Sequence, residues 1–283
     1  MKKPNGNLLT VLAIMCITIF SLAIPVYAKK TVTDGKGIWV NIWNYPENPD
    51  MYCEYLKSNG IDTIYLQIFR SNTPAIQHLS KVNRIIESSH ERDMKVIGWG
   101  YVFLNNPLGD AKKFITAAKH KTPTGEMFDG FAADIEEITS SRNIERFTSR
   151  VREALGKDYP LIAITFSPMS KSKKADPRYY AWKTIANNFD IIAPMTYWHG
   201  LVKYRSEKGA YDYTTQTITK LKEYTNKDDL KIHLIGDGQK TSSGEISGFL
   251  RAAEEHKVNA GVSLYPWHKP KDHQMETLGE FKL

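Results

Sequence analysis

Along this chain, short runs rich in Val, Ile, Tyr, Phe and Trp recur eight times, each followed by a stretch with the spacing of an amphipathic helix. The strand-like runs fall at residues 37–43, 62–69, 95–102, 130–135, 161–167, 191–197, 231–235 and 260–265. Helical spacing fills 49–58, 74–92, 109–119, 142–155, 177–187, 213–224 and 243–256, and a final helix is expected over 274–281. The strand-like runs are apolar on both faces, as strands covered by helices must be. Such alternation predicts an α/β fold built on one parallel sheet. Eight units over residues 29–283 suit a single (β/α)8 TIM barrel, with an open doubly wound sheet as the competing arrangement. No low-complexity linker divides this part of the chain, which predicts one domain.

Closure of the barrel would bring the C-terminal ends of all the strands to one mouth. Those ends carry Trp43, Gln67, Arg70, Trp99, Tyr101, Asp134, Glu136, Ser167, Tyr197, Trp198, Asp237, Tyr265, Trp267 and His268. The fourth run, FDGFAADIEE from Phe128 to Glu137, is the most telling. Side chains two apart in an extended segment point the same way, so Asp134 and Glu136 share a side of a strand that is otherwise apolar. Burying acids is costly unless they are paired, hydrogen-bonded or useful. Spacing alone leaves a structural ion pair and a reactive pair equally open, and Arg70 is the cation that would make it structural. Context favours chemistry, because carboxylates surrounded by Trp and Tyr suit a glycan better than a nucleotide or a peptide. Any one ring, Trp39 or Trp43 for example, would by itself read as barrel packing. Cleaving a glycosidic bond needs a proton donor at the leaving oxygen and negative charge or an internal nucleophile at the anomeric carbon. Two close carboxyls separate their pKa values, keeping one protonated and ready to donate.

The segment DGFAADIE resembles the fourth-strand signature of the chitinase-class family 18 glycoside hydrolases, Asp-Gly-x-Asp-x-Asp-x-Glu, through Asp129, Gly130, Asp134 and Glu136. APMTYW resembles the Met-x-Tyr motif of that family's sixth strand through Met195 and Tyr197, and GVSLYPW resembles its last strand, which ends in a tryptophan, here Trp267. The resemblance implies a retaining mechanism in which the substrate's own N-acetyl group is the nucleophile, an exception to the two-carboxylate scheme. It implies Glu136 as general acid and then base, and Asp134 as the group that orients the acetamide and stabilises an oxazolinium-like intermediate. Tyr197 would hydrogen-bond the acetamide carbonyl, and Trp267 would form the floor under the reactive sugar. Substrate contacts are further expected from Trp43, Trp99, Tyr101, Gln67, Met195, Trp198 and Asp237.

The chain departs from the family pattern at two positions. Ala132 replaces the innermost aspartate of the signature, and Trp198 replaces an acid that often follows the sixth-strand tyrosine. A catalytically inactive glycan-binding barrel is therefore the alternative of a different class. The region from Val96 to Glu136 is also similar to the third and fourth strands of family 25 lysozymes, although those carry an acid on the first strand where this chain has Asn41. Both resemblances imply a hydrolase of N-acetylated glycans, chitin-like or peptidoglycan-like, with Glu136 as the acid.

Lys2 and Lys3, an apolar run from Leu8 to Val26 and the sequence Val26-Tyr27-Ala28 fit a signal peptide over residues 1–28, cleaved after Ala28. Secretion and cell-wall association are the expectation, with membrane contact only through this segment if it stays uncleaved. The mature chain would hold Cys53 alone and no internal disulfide, leaving stability to the core. The formal net charge is +7, of which Lys2 and Lys3 supply two. This mild excess suits anionic surfaces, but the basic residues are scattered, and Lys171, Lys173 and Lys174 read as a solvated loop. No zinc-finger, Walker or dinucleotide-binding spacing is present, so neither nucleic acid nor a cofactor is expected. His199, His268 and His273 lack metal-ligand spacing, and no metal is expected.

Overall fold

A computed structural model describes residues 31–282, so the expected signal segment lies outside the described residues. Eight parallel strands close into a barrel in chain order, each hydrogen-bonded to its sequence neighbours and the last to the first. They are β1 (Lys36–Val40), β2 (Thr63–Arg70), β3 (Lys95–Tyr101), β4 (Gly130–Asp134), β5 (Leu161–Phe166), β6 (Ile191–Thr196), β7 (Leu234–Asp237) and β8 (Val262–Tyr265). The helices between and after them are α1 (Pro49–Ser58), α2 (Leu79–His90), α3 (Pro107–Ala118), α4 (Ser141–Leu155), α5 (Trp182–Asn188), α6 (Glu207–Thr225), α7 (Ser243–Glu255) and α8 (Asp272–Gly279). The closed barrel expected from the alternation is the fold observed, and the open sheet is not.

Local chemistry explains most boundaries. Asn48 and Asn106 accept hydrogen bonds from the first turns of α1 and α3, and each precedes a proline whose fixed φ suits the first helical position. Ser242 and Glu245 form a reciprocal capping box on α7. Several expected boundaries move: the helix expected at 213–224 begins at Glu207, capped by Ser206, the first strand, expected to reach residue 43, ends at Val40, and three further shifts have local causes. The helix expected at 74–92 begins at Leu79, because His78 is left-handed at φ 52° and Gln77 donates its N–H to Ile68 at 3.2 Å. The helix expected at 177–187 begins at Trp182, since Tyr180 is committed to packing under β4. The seventh strand lies at 234–237 and not 231–235, with Ile232 making only an isolated bridge to Ile192.

Two apolar layers follow from the strand alternation. One fills the barrel, with Trp39, Tyr65, Ile97, Trp99, Ala132 and Ile162 among its members. The other lies between the strands and the helices. Phe131 of β4 points outward there and meets Phe114 of α3 edge-on at 4.7 Å. It can lie flat against β3 only because Gly98 has no Cβ, which would overlap the Phe131 ring, and Gly100 makes the same allowance for Phe69. These outward anchors fix which residues of β4 face inward, namely Ala132 and Asp134.

Low in the barrel, a polar hydrogen-bonded network surrounds His233. Trp39 stacks on Tyr65 at 4.3 Å and donates its indole N–H to Ser263 Oγ at 2.7 Å. Ser263 Oγ lies 2.7 Å from His233 Nε2, while His233 Nδ1 donates to the Ala260 carbonyl at 2.8 Å. Burial lowers the His233 pKa to about 4, so the ring is neutral and this network holds Trp39 in one orientation.

Candidate active site

The acidic pair sits where β4 leaves the barrel. Backbone bonds hold the segment on both sides: Val102 N–H donates to Asp134 O at 3.0 Å, and Ile135 N–H donates to Ile164 O at 3.0 Å. Between the two acids, the buried Tyr180 hydroxyl donates to the Ile135 carbonyl at 2.5 Å. A short, triply tied backbone thus presents Asp134 and Glu136 on one side.

Asp134 is only 4% exposed, and its Oδ1 has no hydrogen-bond partner. Burial raises its pKa well above the usual carboxylate range, and the neighbouring Glu136 charge and hydrogen bond raise it further, against a lowering by Arg70. Glu136 is also raised, by burial first, while the hydrogen bond from Asp134, Lys174 and Arg70 pull it down. The two carboxyls therefore titrate as a unit that keeps one proton into a range where an isolated carboxyl has lost its own. The orphaned Oδ1 lies on the same strand face as Ala132, where the family signature carries a further aspartate.

Around the pair is a cavity of about 200 Å³ lined by Asp134, Glu136, Trp39, Trp99, Met195, Tyr197, Gln239, Tyr265 and Trp267. Tyr197 and Tyr265 stack at 6.1 Å, and burial raises both phenols, Tyr265 to about 12, so both stay protonated donors. Trp267, 46% exposed, stands edge-on to Tyr265 at 5.8 Å. Its backbone is left-handed at φ 59°, a conformation costly for a large side chain, and its carbonyl is gripped by the side-chain amides of Asn41, at 3.0 Å, and Asn44. Asn41, the residue at the position of an acid in family 25 lysozymes, is thus an anchor for the tryptophan.

Other expected contacts are distributed around the mouth. Trp43 is 64% exposed and lines an aromatic groove of about 590 Å³ that shares Trp39 and Trp267 with the cavity. Tyr101 donates its hydroxyl to Glu137 at 3.1 Å, and Glu137 also pairs with Lys174 at 2.6 Å, which holds its pKa down. Met195 lines both the cavity and a neighbouring one of about 280 Å³ with Glu136, Lys171 and Tyr197. Arg70 makes no ion pair with Asp134, and its guanidinium lies 4.3 Å from the Tyr101 ring centroid and 5.7 Å from that of Trp43.

Three expected positions differ. Trp198 is a correction: it is fully buried between β6 and α7, stacked on Phe249 at 5.1 Å with its indole N–H on Glu245, and faces away from the mouth. Alternation forces this, because its neighbour Tyr197 faces inward. Gln67 is buried and ties the segment after β1 to β2 by accepting from Ile42 N–H at 3.2 Å, and it does not line the cavity. Asp237 is buried and accepts from Gln239 N–H at 3.1 Å, so Gln239, and not Asp237, reaches the cavity wall. Sequence reasoning passed over Gln239 and Tyr180, which lie in loops without periodic signal. Among the described residues no cluster of His, Cys, Asp and Glu could hold a metal ion, and Cys53 is free and buried.

The closed barrel has the fold of solved chitinases of glycoside hydrolase family 18. Among solved structures it is similar to the Bacillus cereus spore cortex-lytic enzyme SleL, with TM-score 0.64 and 11% identity over 89% of this chain and 76% of that one. The Rhizomucor miehei chitinase RmChi1 matches with TM-score 0.64 and 10% identity over 88% of this chain and 100% of the other. The Cycas revoluta family GH18 chitinase, solved with allosamidin, matches with TM-score 0.63 and 10% identity over 87% and 98%. No protein-family model matches the sequence, and no curated protein matches it.

Proposed function

We propose that this protein is a secreted glycoside hydrolase that cleaves N-acetylglucosamine-containing glycans with the help of the substrate's own acetamido group. The observation that carries the reading is the convergence of Asp134, Glu136, Tyr197 and Trp267, from three different strand ends, on one cavity. Glu136 donates its proton to the leaving glycosidic oxygen as the C1–O bond breaks. The acetamide carbonyl oxygen attacks C1, and Asp134 accepts the acetamide N–H while the Tyr197 hydroxyl donates to the carbonyl side. Water, deprotonated by Glu136, then opens the cyclic intermediate with overall retention. The raised pKa values of the pair suit this role, because Glu136 must be protonated before cleavage and ionised after it. The stacked Tyr197 and Tyr265 and the upright Trp267 supply faces for a sugar ring.

The solved structures of similar fold bear the names of chitinases and of a spore cortex-lytic enzyme, which supports a polysaccharide or oligosaccharide as partner, and association with a cell wall is part of the proposal. A family 25-like muramidase mechanism gains nothing from the end of β1, where the amide of the following residue, Asn41, is spent on Trp267. A sugar-binding barrel without activity is the second reading, favoured by Ala132 and the unpartnered Asp134 Oδ1. Product stereochemistry tests the mechanism. Proton NMR of fresh digests of an N-acetylglucosamine hexamer should show the β-anomer first, with no cleavage of the fully de-N-acetylated hexamer. First appearance of the α-anomer, or equal cleavage of both hexamers, sinks the acetamide mechanism.

A further inference from the structure

We propose that the glycan taken up by this mouth carries carboxylate groups and that Arg70 receives them, an inference that rests on the glycan reading above and narrows its substrate class. Strict alternation from the inward Gln67 would turn Arg70 to the outer face of β2. A bulge between Gln67 and Phe69 breaks the alternation, so that Phe69 packs outward against Phe131 at 6.2 Å and Arg70 turns to the mouth. There the guanidinium lies over the Tyr101 ring at 4.3 Å and beside Trp43 at 5.7 Å. Two aromatic rings position the cation, and among the described residues no side chain or carbonyl accepts a hydrogen bond from it. Asp134 and Glu136 are near enough to feel its charge, yet neither pairs with it.

A neutral polymer offers such a group only single uncharged hydroxyl or carbonyl acceptors, whereas a carboxylate matches its two parallel N–H edges in a bidentate, charge-assisted pair. Lys171, in the wall of the cavity next to Glu136, and Lys269, in the aromatic groove, add positive charge on either side. Neither has an ion-pair partner among the described residues. An N-acetylated glycan with acid substituents along its length would meet cations on both sides of the scissile bond.

The test uses the Glu136→Gln protein, which binds without turnover, and calorimetric titration with three tetrasaccharides: the N-acetylglucosamine tetramer, the alternating N-acetylglucosamine–N-acetylmuramic acid tetramer, and that second tetramer with its lactyl carboxylates amidated. The acidic form should bind roughly tenfold more tightly than its amidated twin, as expected for one charge-assisted pair. Adding Arg70→Gln should remove that difference, and Arg70→Lys should restore part of it. If Arg70→Gln fails to fold, Arg70→Lys and a salt series to about 0.5 M carry the same decision, since both should narrow the acidic preference. Equal affinity for the acidic and amidated forms overturns the proposal while leaving the glycan reading intact, as does an equal loss on all three ligands in the Arg70 variants. Failure of all three to bind overturns the glycan reading itself.

Discussion

Replacing Tyr180 with phenylalanine removes one oxygen and leaves the ring, which packs edge-on against Phe166 at 5.6 Å and against Trp182 at 4.7 Å. Packing is thereby preserved, while the phenol's hydrogen bond to the Ile135 carbonyl is lost together with its backbone hydrogen bond with Phe166. That carbonyl is buried and receives no other hydrogen bond among the described residues. An unsatisfied buried carbonyl costs about 1–3 kcal/mol. For a chain of this size each kcal/mol lowers the melting temperature by about 2–4 °C, so a fall of several degrees is expected. Ile135 lies between Asp134 and Glu136, so slackening it displaces both acids, and small misplacements of reacting groups cost up to about 100-fold in rate. The expected result is a lower melting temperature by calorimetry together with kcat reduced about 10- to 100-fold and KM changed far less. If the melting temperature falls while kcat stays at the wild-type value, the link between this bond and the acid pair is refuted. If neither moves, the bond itself contributes nothing.

The remaining outcomes follow from the same geometry. Lys174→Ala removes a charge that holds the Glu136 pKa down, so Glu136 stays protonated to higher pH and the alkaline limb of kcat/KM should move upward; an unmoved limb, or one moved downward, contradicts this. Trp198→Phe should lower the unfolding midpoint, since the residue is fully buried, but leave glycan affinity within about twofold, and a selective loss of affinity would restore it to the mouth. His90 has its pKa raised from 6.5 to about 9 by Asp129 first and Glu126 after burial is offset, so its stabilisation is full below the unfolded value and is lost as pH rises through about 9. Urea unfolding should therefore show the gap between wild type and His90→Gln closing between about pH 6 and about pH 10, and a constant gap would exclude a charged His90.

The barrel was legible in the sequence because a parallel strand covered on both faces must be apolar throughout, and eight such runs, each followed by helical spacing, leave few architectures. Asp134 and Glu136 were legible for the opposite reason, as two acids at the same phase of an apolar strand. Tyr197 and Trp198 could not both face the mouth, and alternation alone would have turned one of them away. For Arg70 the same rule points the wrong way, because the bulge in β2 depends on Phe69 finding the space left by Gly100 on the next strand. Gln239 and Tyr180 come to the site through loop packing across distant strands, which leaves no periodic trace. Asn41 read as a missing acid, while its role in gripping the carbonyl of a left-handed Trp267 depends on a backbone conformation that sequence does not announce.

The account stands on Asp134 and Glu136 forming a sugar-cleaving pair. Release of reducing ends from an N-acetylglucosamine hexamer and from purified peptidoglycan, measured side by side for wild type and Glu136→Gln, tests it most directly. Wild type should cleave at least one of the two, and the variant should bind the same glycan with its cleavage lowered at least about 1,000-fold, as loss of an essential general acid requires. Wild type that binds the glycan but releases no more ends than the variant would contradict the account and leave a sugar-binding barrel in its place.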